Sequence, residues 1–329
     1  MKYLKYILFA IIFFIAIVTF TIIVEKGKSE RVSLPKPSLR KAVEGKLSFT
    51  FSEDTKNIKL PSRSHVITFH TVFFDENLKD NISENLGFSG KPDTFKDSMH
   101  GLIYLWRDEN YSLMITPSLS MVKYMRSTYQ PPQVIDKQLS DVSIISTGDG
   151  FLSDMLGMSS ESFKPISIDY YAVKSPSEGF IKTTREDAVM YQINYTHSIV
   201  DYEILTTNPS QPLTYVQILR DGSVYNSQAT YYKEVLKSDK SYPLKDYQEI
   251  VNSTDDFVFV SVLDGYVNIF ELEAEDIDKI EIESIKLTYL LDNPNSKTLH
   301  PVYLLEGNTN IKGYPKLKAL FYLPAIKNL

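Results

Sequence analysis

The chain has 329 residues, 43% apolar and 23% charged, with a formal net charge of -6 and no cysteine. That balance belongs to a folded protein large enough to bury sizeable cores. It excludes disulfides and thiolate metal sites, and an acidic chain without a basic stripe excludes a nucleic-acid partner.

Residues 7–24 follow Lys2 and Lys5 and carry no charge. At ~1.5 Å per residue they span about 27 Å, close to a hydrocarbon core of about 30 Å. No small-x-small cleavage site follows, because the chain runs on through Val24, Glu25 and Lys26. Residues 1–25 are therefore expected to form a short cytoplasmic tail and a transmembrane helix. Lys2 and Lys5 nearly balance Lys26, Lys28 and Arg31, so positive-inside bias decides little. The short tail and long remainder place the C-terminal mass outside the cytoplasm. Residues 26–60 read as a stalk, with Pro35 and Pro37 favouring an extended path.

The expected fold class is α+β, the membrane helix being followed by repeated helix-plus-antiparallel-sheet units. In the first unit, 61–133, a strand at 65–73 precedes a helix at 75–86, with Leu78, Ile82 and Leu86 on one face and Gly87 as its cap. GLIYLW and YSLMITP then pair around Asp108–Asn110, and LSMVKYM follows. In the second unit, 134–239, Thr147 caps a helix over 148–156 closed by Gly157, whose end MLGMSS echoes NLGFSG at 85–90. Strands fill 163–232, with a hairpin at Asp221-Gly222. The third unit, 240–329, opens with a helix near Pro243 and a hairpin turning at Asp264-Gly265. IDKIEIESIKLTYLL alternates with a phase slip at Glu283-Ser284 that predicts a bulge. LHPVYLLEG, at 299–307, reads as a strand apolar on both faces, opening at Pro301 and released by Gly307, with His300 outside it in solvent. The 22 tyrosines and 18 phenylalanines, against the single Trp106, suit such half-buried strands.

Chemical signals are sparse. HExxH, GxSxG, the P-loop and GxGxxG are all absent from the sequence. Ser120 and Lys123 match Ser-x-x-Lys, but in a strand they point to opposite faces, and no KTG or SDN accompanies them. His65, His70, His100, His197 and His300 lack helical ligand spacing. The acidic run 271–278 has no turn glycine for a calcium loop and reads as a solvated turn. Asn81, Asn110, Asn194 and Asn252 stand in Asn-x-Ser/Thr, which matters only in a eukaryotic secretory pathway. Tyr104 and Trp106 share one strand face and are the candidate binding residues; packing of that strand on the 75–86 helix is the plainer account of them.

The order of patterns also carries a resemblance. The anchor, the helix ending in LGFSG, GLIYLW, YSLMITP, YPLKDYQEIV, IKLTYLL, HPVYLLEG and FYLPAI together resemble bacterial membrane-anchored proteins with YycH/YycI-like or PepSY-like extracytoplasmic domains. The resemblance covers most of 60–329. It implies a non-enzymatic protein that regulates a sensor histidine kinase through transmembrane and extracytoplasmic contacts, or, for PepSY-like domains, one that binds or inhibits peptidases. It supplies no catalytic residue. The additional strands of 164–230 depart from the YycI pattern and argue against direct kinase regulation.

The expected function is a non-catalytic, single-pass, extracytoplasmic binding or regulatory protein. Its partners would be the membrane and another membrane or envelope protein, and no cofactor is implied. The alternatives are a structural part of an envelope or secretion assembly, and a cell-wall or peptide hydrolase without a recognisable motif. A pocket lined by apolar groups would favour binding; one gathering His, Asp or Glu would favour hydrolysis.

Overall fold

The computed structural model describes residues 37–71, 74–98, 100–126, 138–156, 162–175, 179–209, 212–230, 232–263, 267–293 and 296–327. The expected anchor at 7–24 lies outside them. Among the described residues no helix is long and apolar enough to cross a membrane.

Helix α1, Glu76–Asn85, starts where the Asp75 carboxylate accepts the Leu78 amide at 2.8 Å. That bond satisfies one of the donors a helix start leaves free. Ile82 is buried, Leu78 and Leu86 pack beside it, and Gly87 follows with φ 81°. Helix α2, Asp141–Leu156, begins a full turn and more before the expected segment. Its cap is Ser140, whose Oγ accepts the Ser143 amide at 3.1 Å. Thr147 therefore lies in the helix interior. Ile144, Gly148, Leu152, Met155 and Leu156 form its buried stripe at helical spacing. The short helix α3, Tyr247–Val251, opens on an Asp246–Glu249 capping box.

Among the described residues the strands make two sheets. The nine-stranded sheet is antiparallel throughout and runs in the order β3 (Asp93–Asp97), β4 (Gly101–Arg107), β5 (Tyr111–Thr116), β6 (Met121–Arg126), β12 (Val224–Thr230), β11 (Thr214–Leu219), β9 (Met190–His197), β7 (Phe163–Ser175) and β8 (Gly179–Lys182). Both α1 and α2 pack on one face of it, against Trp106, Leu113, Ile115, Ile193, Tyr195 and Val216. The eight-stranded sheet is built on the meander β15 (Ile280–Leu291), β16 (Thr298–Ile311) and β17 (Tyr314–Pro324), with β14 (Val258–Val262) on the outer side of β17. Two short strands, β1 (Phe49–Phe51) and β10 (Ile204–Thr206), pair in parallel with opposite ends of β15. β2 (Arg63–Thr71) and β13 (Tyr232–Pro243) form an antiparallel ribbon, and β2 joins the start of β16.

This architecture overturns the expected repeat of helix-plus-sheet units. The protein is mostly β, with two large sheets. The strands after α1 and those after α2 belong to one sheet, because β6 pairs with β12. The third helix is one short turn structure, and Pro243 ends β13 instead of opening that helix. The expected hairpin turn at 264–265 lies outside the described residues, and among the described residues that follow it Ile269–Glu271 is a 3₁₀ turn, while β14 pairs with β17. Part of the expected stalk is sheet, since Phe49–Phe51 pairs with Ile280–Ile282. The Asp221-Gly222 hairpin and the bulge between Ile282 and Ser284 are both present.

β16 corrects two further expectations. It opens at Thr298 by pairing with Thr68 of β2, so His300 lies inside the strand and is 3% exposed. Gly307 does not release the strand, which runs on to Ile311. A Cβ at Gly307 would lie 2.8 Å from the Glu281 carbonyl oxygen and 3.0 Å from the Ile280 and Ile282 side chains. Glycine is thus the residue that lets β15 and β16 close at their bulge. Gly307→Ala is expected to cost about 1–3 kcal/mol through overpacking, seen as a lower urea midpoint with an unchanged slope. An unshifted midpoint would show that this approach does not limit the pairing.

Candidate functional site

The candidate catalytic patterns do not assemble. Ser120 follows a 3₁₀ turn in the left-handed region, φ 49° and ψ 36°, and is buried before β6 begins. Lys123 stands within β6, opposite Gln228. The acidic run forms two 3₁₀ turns, Ile269–Glu271 and Ala274–Asp276, the second closed by Glu273 and Asp276 on each other's backbone. Among the described residues no three His, Asp or Glu side chains converge as a metal-binding group.

The histidines are dispersed. His65 donates from Nδ1 to the Ser238 carbonyl at 2.7 Å, and His100 meets Asp97 at 2.8 Å. His70 is exposed, 3.9 Å from Glu234. His197 and His300 differ, because burial pushes the pKa of each ring down, with nearby Asp292 opposing that at His300. Nδ1 of His300 is buried without a hydrogen-bond partner among the described residues.

Trp106 is 3% exposed within the α1/α2 core, and its Nε1 donates to the Gly90 carbonyl at 3.2 Å. Tyr104 is half-buried, with the Lys79 ammonium 3.5 Å from its ring centroid. Lys79 is itself buried and held at 2.7 Å by Glu76. The pair therefore belongs to the packing of β4 on α1, with a cation on the tyrosine face.

A concavity lies elsewhere. A groove of about 540 Å³ runs beside β14, lined by Phe259, Val260, Val262, Ile269 and Phe270, with Leu39 and Arg40 on another wall. Its remaining lining is small or amide and hydroxyl in character, and none of the described lining residues is His, Asp or Glu. β14 is the terminal strand of its sheet, and Phe270 at the groove is 65% exposed. An outermost strand beside an apolar groove offers main-chain groups and side-chain pockets together. Residues 38–40 and 42, residues 207–208, and residues 259–262 with 267–270 come together here from three remote parts of the chain. No local pattern announces them, although an exposed Phe270 within a 3₁₀ turn is the kind of signal that could.

No family model matches the chain, and no curated protein matches it. Among solved structures, an uncharacterized protein from Eubacterium rectale is 11% identical, covering 82% of this chain and 85% of that one, with a TM-score of 0.48. YycH from Bacillus subtilis is 13% identical with a TM-score of 0.35, and the alignment covers 81% of this chain but 54% of YycH. The YycH/YycI-like resemblance thus has a weak structural neighbour and no family model behind it.

The two depressed histidines give the fold a definite pH response. As pH falls below about 6.5, the unfolded chain takes up protons that His197 and His300 resist in the fold. Through these two rings, stability drops on the acid side. Melting temperatures recorded from neutral pH to about pH 5 should fall, and His300→Gln should flatten part of that fall. An identical pH profile in the variant would remove His300 from this account.

Proposed function

We propose that the chain is a non-catalytic binding or regulatory protein of the extracytoplasmic membrane face, and that it takes an extended segment of a partner protein along β14. The observation that carries this reading is the groove beside an outermost strand. Consecutive residues of that strand, from Phe259 to Val262, line it, so the groove follows the strand direction. An occupant lying along it is extended and can add to the sheet through its backbone, while Phe270 and Val260 receive apolar side chains. Arg40 is the one charge among the described lining residues, which suits a segment bearing a carboxylate. Attachment to a membrane rests on the uncharged run at 7–24 and on the length that the hydrocarbon core requires.

Two measurements test the reading. Peptides selected from a random display library against the full chain should be apolar with an acidic residue. Their affinity should fall about tenfold or more, roughly one lost charge-assisted contact, in Phe270→Ala or Arg40→Ala. Selected peptides that ignore both substitutions place binding elsewhere. For location, the protein should resist alkaline extraction from membranes and be cut by protease added outside intact cells. Release by alkali, or full protection from the protease, contradicts the proposed placement.

A further inference from the structure

The face of the nine-stranded sheet turned away from α1 and α2 changes character along its length. Facing residues of antiparallel neighbours share a face. Asn226, Gln217 and Gln192 form an amide row across β12, β11 and β9. Gln217 donates to Gln192 at 2.7 Å and Gln192 to Asn194 at 2.8 Å, and Gln192 and Asn194 are only 6% and 5% exposed. The middle of the face is therefore closed by its own amides. Toward β3 it opens. Trp106, Leu113, Ile115 and Val122 alternate to the helices. On the other side Phe95 is 47% exposed, and Ile103, Leu105, Met114 and Met121 are half-buried.

One row across this open part has a definite order. Asp93 of β3 stands opposite Leu105, Leu105 opposite Met114, and Met114 opposite Lys123 of β6. The row thus reads acid, apolar, apolar, base. Its ends lie three strand spacings apart, about 14 Å, with the two apolar side chains between them. Neither Asp93 nor Lys123 has an ion-pair partner among the described residues. The next row carries Phe95 at the β3 end, opposite Ile103, and Met121 at the β6 end, opposite Thr116. The other charges of these four strands do not join the row. Asp97 is held by His100 at 2.8 Å, and Arg107 stands opposite Ser112 on the far side of the row. Lys96 and Arg126 alternate to the helix side, where Arg126 lies over the Tyr111 ring.

We propose that this open face binds a second copy of the chain, face to face, about a two-fold axis running along the strands between β4 and β5. Such an axis turns the row end for end. Asp93 of each copy then faces Lys123 of the other, Leu105 faces Met114, and Phe95 faces Met121. Two ion pairs flank an apolar centre, with two ring–thioether contacts beside them. Charge complementarity selects the second copy, because a row of this order is its own complement once reversed. Asp97 and Arg107, of opposite sign, add no net charge to the patch. Pairing by edges is opposed, since β3 set antiparallel to a second β3 about Phe95 would bring Asp93 opposite Asp97. Aligned sheets about 10 Å apart keep all four strands as they are. The groove at β14 takes no part, so this contact stands apart from the peptide reading.

The test uses the full chain in detergent, and the absence of native cysteine makes it specific. Met114→Cys puts a thiol beside the axis, where a bis-maleimide spanning about 10 Å, the separation of packed sheets, should join two copies. Phe270→Cys, in the groove at β14, should join none. In sedimentation, Asp93→Lys or Lys123→Asp should each weaken the dimer about tenfold or more, because either reversal sets like charges together twice. The two reversals combined should restore it. Melting curves check that the variants fold; should Met114→Cys fail, Ser112→Cys in the adjacent row takes its place. No joined dimer at about 100 μM protein overturns the proposal. So does a dimer indifferent to both reversals, one that the double reversal does not restore, or one captured equally through Phe270→Cys.

Discussion

The pairing of β6 with β12 is the contact on which the organisation of this protein depends. It joins Met121–Arg126 to a strand a hundred residues further along the chain, with Val122 facing Ala229 in the core. Without it, α1 with its four strands and α2 with its five would each need a separate core. With it, both helices cover one continuous sheet face and share one apolar cluster. Small sheets bury too little on their own, so the merger contributes stability that neither half holds alone.

The eight-stranded sheet solves a different problem. Its meander is long and apolar, and the open side of β15 is a hazard for edge-to-edge association. β1 covers one end of that side and β10 the other, each by three parallel pairs. β10 also ties the two sheets through the chain, since it follows β9 of the larger sheet directly. β14 closes the opposite side without being covered in turn. One protected flank and one open flank give the molecule a direction, and the apolar groove lies on the open one.

What could be read in the sequence was local. The helix near 75–86 with Gly87 behind it, the Asp221-Gly222 hairpin and the bulge near Ser284 all depend on neighbours within a few residues. LHPVYLLEG was legible as a strand apolar on both faces for the same reason. Its ends were not: β16 starts earlier because β2 pairs with Thr298 and Leu299, and it ends later because Gly307 is needed for closeness to β15. Pro301 is tolerated mid-strand, and its carbonyl still accepts the Ala325 amide. The fold class failed on partners, since the period of a strand says which face is buried and not which strand lies beside it. The groove escaped for that reason too, being assembled from three distant segments.

The amide row was half legible. Gln192 and Asn194 alternate visibly with Tyr191, Ile193 and Tyr195, which is the pattern of a strand with one wet face. A merely wet face, however, is served by Lys, Glu or Thr, whose charges or branching keep it soluble and extended. Amides at interior positions have a cost in desolvation that only complete hydrogen bonding offsets. Here the offset is complete along Gln217, Gln192 and Asn194 and incomplete at Asn226. The packing beneath makes that arrangement rigid. The Tyr195 hydroxyl and the Ile193 side chain leave no space for a Cβ at Gly148 of α2, so β9 cannot shift against the helix without a clash. A close-packed face on one side of β9 thereby fixes the positions of the polar heads on the other, so the amide row holds one arrangement of donors and acceptors.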